Sequence, residues 1–440
     1  MDSEDEMLKS LGMKDIDELF EDIPEEMRIE GINLPPGKSE MGVLNEIESL
    51  LSRNKNIKEM PTFLGGGVYN HYVPSLVDEI LSRSEFYTSY TPYQAEASQG
   101  MLQALFEYQS MICELTGMEA ANTSMYDWST AIGEAALMAA RLTRKREIVV
   151  PRAMHWDKHS VLANYCKGPG IRVKAFDYDN ETGKIDLEHL RSLVAEDTAG
   201  VYFENPNFFG VIEDDVEAIK DAAKDSILIV GANPISLALL RPPSDYGADI
   251  VVGEGQLLGS YPNFGGPLLG IFACLQKHVR KMPGRVVGIT LDADGERAFC
   301  MTLQTREQHI RREKATSNIC SNESLMAVAS AVYISVLGRN GLREVANECV
   351  IRARHAMRRI GSLSNFLAPA FAAEHFNEFV VKSKVPYDAV HKYLLDSGIH
   401  GGLPLKPYFP ELEESALFAF TETHTTSDID RLVWALEGVR

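Results

Sequence analysis

Residues 251–270 read VVGEGQLLGSYPNFGGPLLG. A short apolar strand runs into a Gly-Glu-Gly turn, then a polar loop, then a second apolar strand. The loop beyond a buried strand end is where open α/β sheets present their chemistry. This one contains no Lys, Cys, His or Asp. It holds the position of a catalytic loop and none of the groups that react from one.

The text around it repeats the strand signal. EIVVP (147–151), IRVKAF (171–176), GVYFENP (200–206), SILIVGANP (226–234) and DIVVGEG (249–255) are each followed by helical or loop text. That alternation predicts a parallel sheet with helices on both faces. VVGITLDADGERAFCMTL (286–303) reads as a hairpin turning at Asp294-Gly295. TSNICSNESLMAVASAVYISVLG (316–338) opens with capping residues and continues as an almost wholly apolar helix. A helix over 341–361 leads to strand 377–383, helix 386–396, strand 415–421 and helix 427–437. Upstream, Met101, Leu105, Tyr108, Ile112 and Leu115 keep helical spacing, and Gly117 supplies the stop. In 39–53, Ser39 is an N-cap ahead of an apolar edge of Ile47, Leu50 and Leu51. The expected architecture is α/β, with a helical extension over 1–60, a large doubly wound domain over 61–340 and a small C-terminal α/β domain over 341–440.

Composition narrows the class. The 440 residues are 45% hydrophobic and carry 43 basic against 63 acidic side chains, a formal charge of -20. Neutralising phosphates takes basic surface, so neither nucleic acid nor an anionic membrane is expected as a partner. No apolar run approaches the roughly 18 residues of a membrane span. The start, MDSEDEMLKS, is acidic and lacks a secretory pattern. Six cysteines without CxxC spacing suit reduced thiols. A cytoplasmic protein is expected.

Five segments are candidates for function. FLGGGVYNHYVP (63–74) lacks the spacing of a nucleotide loop and reads as a turn. His155 and His159 lie four apart in MHWDKHS, without HExxH or a third ligand, so no metal is expected. YTSYTPYQAEASQG (87–100) crowds Tyr87, Thr88, Ser89, Tyr90, Thr91, Tyr93 and Gln94 into one loop, either a polar turn with aromatic staples or a ligand-orienting surface. REQHIRREKATSNIC (306–320) sets Arg306, His309, Arg311, Arg312 and Lys314 ahead of an expected helix start capped by Thr316, Ser317 and Asn318. It is either a solvated face paired with Glu307 and Glu313 or an anion site, and the second is favoured. MYDWSTAIGEAAL (125–137) is a strand-to-helix junction where Ser129 or Thr130 caps the helix or, with Ser124 nearby, holds a phosphate.

Taken together, FLGGGVYNHYVP, YTPYQAEASQGMLQALFEYQSMICELTGMEAANTSMYD, GEGQLLGSYPNFGGPLLG and REQHIRREKATSNIC resemble the N-terminal half of the glycine cleavage system P protein, in order along nearly the whole chain. The resemblance implies an aspartate-aminotransferase-like, pyridoxal-phosphate-dependent transferase fold. The chain length is similar to that of the α subunit (subunit 1) of the two-chain form. That form decarboxylates glycine and passes the aminomethyl group to the lipoyl arm of the H protein, alongside the T and L proteins. The family's chemistry needs a Schiff-base lysine and an acidic partner for the pyridine nitrogen. In the catalytic half an Asp precedes Gly-Ala-Asn and a His-Lys pair follows the next strand. Here Val230 precedes Gly231-Ala232-Asn233, the pair falls on Gln256-Leu257, and no lysine lies between Lys224 and Lys277.

The resemblance therefore implies that pyridoxal phosphate sits on a homologous β subunit, in an α2β2 assembly, and is not covalently held by this chain. Tyr90, Thr91, Tyr93, Gln94, Glu96, Arg306, His309 and Arg312 are expected to border or brace the partner's pocket. Ser124, Ser129 and Thr130 are expected to mark a vestigial phosphate site. Two other readings stay open: an autonomous pyridoxal-phosphate enzyme using Lys174 or Lys277, and a non-enzymatic regulator or scaffold.

Overall fold

The structure, a computed structural model, describes residues 2–29, 31–263, 266–320 and 322–439. Phe264 and Gly265 of the 251–270 loop lie outside the described residues. The chain divides into two units, Met1–Asn56 and Ile57–Arg440.

The first unit carries helices Asp2–Leu11 and Glu40–Leu51 joined by short turns. Ser39 caps the second helix, its Oγ accepting from the Gly42 N–H at 3.2 Å. None of its described side chains is buried.

The second unit is built on a seven-stranded sheet. In chain order the strands are β1 (Ala120–Ala121), β2 (Glu147–Pro151), β3 (Arg172–Phe176), β4 (Thr198–Asn205), β5 (Ile227–Ala232), β6 (Ile250–Glu254) and β7 (Gly270–Cys274). Their spatial order is β1-β7-β6-β5-β4-β2-β3. Strands β2 to β6 run parallel, as the alternation predicts. The edge differs, because β7 is antiparallel to β6 and to β1. Among its described residues the loop after β6 contains no crossover helix, and the chain returns directly beside the strand it left.

Successive residues of each central strand serve opposite faces. Leu228, Val230 and Val251 join one core cluster. Ile227, Ile229, Ile250 and Val252 join another. Each such side chain contributes about 1.5–3 kcal/mol when fully buried, which is why these strands read as unbroken apolar runs. Helix Trp128–Thr143 packs in the second cluster, and helix Gln99–Thr116 in the first. Gly117 ends the latter with φ 70°, in the left-handed region expected of its stop.

The long helix begins later than its sequence suggests. It runs Ser324–Gly361 and breaks at Gly338, with φ 58° and ψ -173°. Thr316, Ser317 and Asn318 therefore do not cap it, and the basic residues before them sit on three short turns, Gln304–Arg306, Gln308–Arg311 and Arg312–Lys314. By length and composition alone this helix could span a membrane. Its Ala327, Val328, Ala329 and Tyr333 are instead committed to the first core cluster. Hairpin strands Val286–Leu291 and Arg297–Thr302 flank Gly295 in the left-handed region. The last hundred residues form a four-stranded antiparallel sheet covered by helices Tyr387–Asp396 and Thr426–Glu437.

Candidate functional site

The loop after β6 is tied shut by its own polar groups. Glu254 Oε1 accepts from the N–H groups of Gln256 (3.0 Å) and Leu269 (2.9 Å), and Oε2 from that of Trp128 (3.2 Å). Burial pushes its carboxyl up to about 7, against the pull of those three donors. Gln256 is fully buried; its Nε2 donates to the carbonyls of Tyr69 (3.1 Å) and Ser260 (2.6 Å), and its Oε1 accepts from Tyr69 N–H at 3.3 Å. Gly259 sits at φ +96°, where a Cβ would meet Tyr333 Cβ at 2.7 Å, so only glycine lets the loop lie against the long helix. Leu257 and Val230 are fully buried in one apolar cluster.

At the C-terminal ends of β4 and β5, where open α/β sheets bind ligands, a cavity of about 20 Å³ is lined by residues including Gly67, Tyr69, Trp128, Lys158, Asn233 and Glu378. That is room for about one water molecule. Lys158 fills it: Nζ lies 2.8 Å from Glu204 Oε1 and 3.3 Å from the centroid of the Trp128 ring. Tyr202 donates to the same Glu204 oxygen at 2.7 Å. Glu378 accepts from Gly66 N–H at 2.7 Å and from the Tyr69 hydroxyl, and burial pushes its carboxyl up to about 7. Pyridoxal phosphate does not fit here: no amine faces it from Leu257 or Gln256, no acid from Val230, and the ring has no space. Lys174 and Lys277 are no substitutes, since each is well exposed and pairs with a carboxylate, Glu147 at 2.8 Å and Asp249 at 3.3 Å respectively.

The helix start at Trp128 is served by carboxylates. Asp127 Oδ1 accepts from Thr130 N–H at 2.7 Å, and Thr130 Oγ1 accepts from Asp127 N–H at 3.2 Å, closing a capping box. The cap is thus Asp127, with Thr130 as its partner, and not Ser129 or Thr130. Ser124 is buried and donates to Asn322 Oδ1 at 2.5 Å, while Ser129 is half-buried.

Histidine pairing at 155 and 159 serves packing. His155 Nδ1 accepts from Asp157 N–H at 3.2 Å and its ring stacks on Trp156, and burial lowers both imidazoles, His155 to about 4. Among the described residues the one group close enough to share an ion is His71, Cys349 and Glu422, whose donors lie within 4.8 Å of one another. His71 Nδ1 is 2.8 Å from Glu422 Oε2, so the trio acts as a buried clip between the 63–74 segment, the long helix and the C-terminal domain.

The tyrosine loop and the basic turns form a different surface. Tyr90 and Tyr93 are 73% and 49% exposed. Gln94, Glu96 and Arg312 are exposed, and among the described residues their side chains make no hydrogen bond or ion pair. Thr91, Tyr93 and His309 come together: the Tyr93 and His309 rings meet edge to face at 6.0 Å. Arg306 turns inward, donating to the carbonyls of Gly284 (2.8 Å) and Leu303 (3.1 Å), and burial lowers its guanidinium below its usual value. It braces rather than borders the surface. Arg285 lies at the centre, buried, with Nη2 2.7 Å from the Tyr93 hydroxyl and Nε 3.7 Å from Glu307. Sequence reasoning passed over Arg285 and Lys158, each a lone cation in apolar or mixed text.

A largely parallel sheet with an antiparallel edge, joined to a small C-terminal α/β domain and with a ligand position at its strand ends, defines the fold of the aspartate-aminotransferase-like, pyridoxal-phosphate-dependent transferases. Sphingosine-1-phosphate lyase of Burkholderia pseudomallei shares it, with a TM-score of 0.68 at 15% identity over 93% of this chain and 92% of that one. A crystal structure of glycine decarboxylase (P-protein) of the glycine cleavage system, in inhibitor-bound form, superposes with a TM-score of 0.92 at 39% identity, over 100% of this chain and 98% of that one. The probable glycine dehydrogenase (decarboxylating) subunit 1 of Thermococcus onnurineus (strain NA1) is 50% identical over 439 residues, 99% of this chain and 97% of the relative. A family model described as glycine cleavage system P-protein matches residues 1–436. The chain belongs to the glycine cleavage system P-protein family.

Proposed function

We propose that the chain is the subunit of glycine decarboxylase that does not bear the cofactor. With a homologous, lysine-bearing chain it decarboxylates glycine and passes the aminomethyl group to the lipoyl arm of the H protein, in an α2β2 assembly that works with the T and L proteins. The observation that carries this is the filled pocket: Leu257 and Val230 in the core, Lys158 on the Trp128 ring, and a cavity of about 20 Å³. Pyridoxal phosphate, when bound on the partner, supplies the electron sink for decarboxylation.

This chain's share is positioning. The surface of Tyr90, Thr91, Tyr93, Gln94, Glu96, His309 and Arg312, with Arg306 bracing it from behind, borders the partner's pocket. An exposed loop dense in hydroxyls on a rigid scaffold suits orientation of a polar ligand. The test is glycine decarboxylation by the reconstituted pair with Tyr93→Phe and with Arg312→Ala. A fall of about tenfold or more in kcat/KM is expected for at least one. Wild-type rates in both would remove the surface from the reaction.

A further inference from the structure

We infer that Arg285 is a positioning residue for the decarboxylation: it sets the orientation of Tyr93 by joining the tyrosine loop to the basic turn. The inference rests on the reading of this surface as part of the partner's pocket. Arg285 is 4% exposed, and a guanidinium that deep is costly unless its donors are engaged. Nη2 donates to the Tyr93 hydroxyl at 2.7 Å, and Nη1 reaches Thr91 Oγ1 at 3.4 Å. The guanidinium carbon also lies 5.1 Å from the centroid of the Tyr93 ring, so one phenol is held at its face and at its oxygen.

On the other side Nε stands 3.7 Å from Glu307 Oε2, too far for a hydrogen bond and close enough for an ion pair. Glu307 in turn is 3.6 Å from His309 Nδ1. One cation thus links Tyr93 and Thr91, 192 and 194 residues away in the chain, to the turn that carries His309. Within the loop the backbone bonds of Tyr90 and Tyr93 are local, to Thr88 and Thr91 carbonyls at 2.9 Å each. Such bonds fix the turn's shape and leave its attitude to the sheet open. Arg285 immediately precedes the hairpin strand Val286–Leu291, and its own carbonyl accepts from the N–H of Thr123, two residues beyond β1, at 2.8 Å, so its backbone is anchored there.

The test is a mutant cycle in the reconstituted pair, with partner affinity, melting temperature, kcat and KM for glycine measured for Arg285→Ala, Arg285→Lys, Tyr93→Phe and Arg285→Ala with Tyr93→Phe. Arg285→Ala is expected to lower kcat/KM by about 10- to 100-fold, with Tyr93→Phe adding little in that background. Added guanidinium ion is expected to restore part of the lost rate, and Arg285→Lys to lose less than Arg285→Ala. Losses that multiply independently, or no response to guanidinium, would overturn the positioning role while leaving the surface in place. Where Arg285→Ala fails to assemble, the same comparison is read from Arg285→Lys, whose retained charge makes full activity the contradicting result. A Tyr93→Phe pair with wild-type rates would also overturn this inference, and only wild-type rates in Arg312→Ala as well would remove the surface reading itself.

Discussion

Two regions of this chain started from equally suggestive text and ended differently. The loop after β6 is closed: Glu254 and Gln256 are spent on backbone groups, and Leu257 is core. The tyrosine loop and basic turns are open: Tyr90 is 73% exposed, while Gln94, Glu96 and Arg312 stand in solvent with no partner among the described residues. Where a chain has lost a reacting group, the vacated volume is refilled by packing and hydrogen bonds, since a cavity costs stability. Where polar side chains still stand exposed on a built scaffold, packing does not account for them. On the proposed function, the first region serves stability and the second serves something outside the chain.

Lys158 is the sharpest way to break that contrast. Its ion pair with Glu204 is 7% and 3% exposed. Lys158→Ala leaves a buried carboxylate unpaired and is expected to cost about 3–5 kcal/mol in denaturant unfolding. Lys158→Met combined with Glu204→Gln removes both charges and is expected to cost much less. Equal losses in the two variants would mean that the pair is not what closes the pocket.

The next effect is in pH. Burial raises the Glu378 carboxyl to about 7 in the folded chain, from an ordinary 4.5. Between those values the native state holds a proton that the unfolded state has released. The stability tied to that proton is complete below about pH 4.5 and is lost as pH rises through about 7, on the order of 3 kcal/mol. Glu378→Gln is expected to flatten the fall of melting temperature across this window. An unchanged slope would show that Glu378 is ionised in the native state, held by Gly66 N–H and the Tyr69 hydroxyl.

The open surface predicts the smallest stability change. Arg312→Ala is expected to move unfolding by no more than about 0.5 kcal/mol, whether or not it lowers the activity of the reconstituted pair. A large destabilisation would place Arg312 in the fold and erase the distinction between the two regions.

Much of this was legible in the text. Strands β2, β4, β5 and β6 announce themselves because both faces are buried and most positions are apolar, whereas the edge strand β3 keeps Arg172 exposed. The gap in lysines between 224 and 277 was equally plain in the text. The antiparallel return of β7 was not legible, since a strand's direction depends on its connection and not on its composition. The start of the long helix was misplaced because Thr316, Ser317 and Asn318 look like caps, while Ser317 actually donates to Glu134 at 2.8 Å. The inward turn of Arg306 and the centrality of Arg285 come from contacts across the fold, on which one-dimensional spacing is silent.

Whether this chain can hold the cofactor is read directly from one absorbance titration. Pyridoxal phosphate is added to the purified chain alone, then to the chain mixed with its lysine-bearing homologue. Imine absorbance only in the mixture, together with glycine decarboxylation, is the expected result. Imine absorbance in the isolated chain would contradict it, and would mean that a lysine of this chain reaches the cofactor after all.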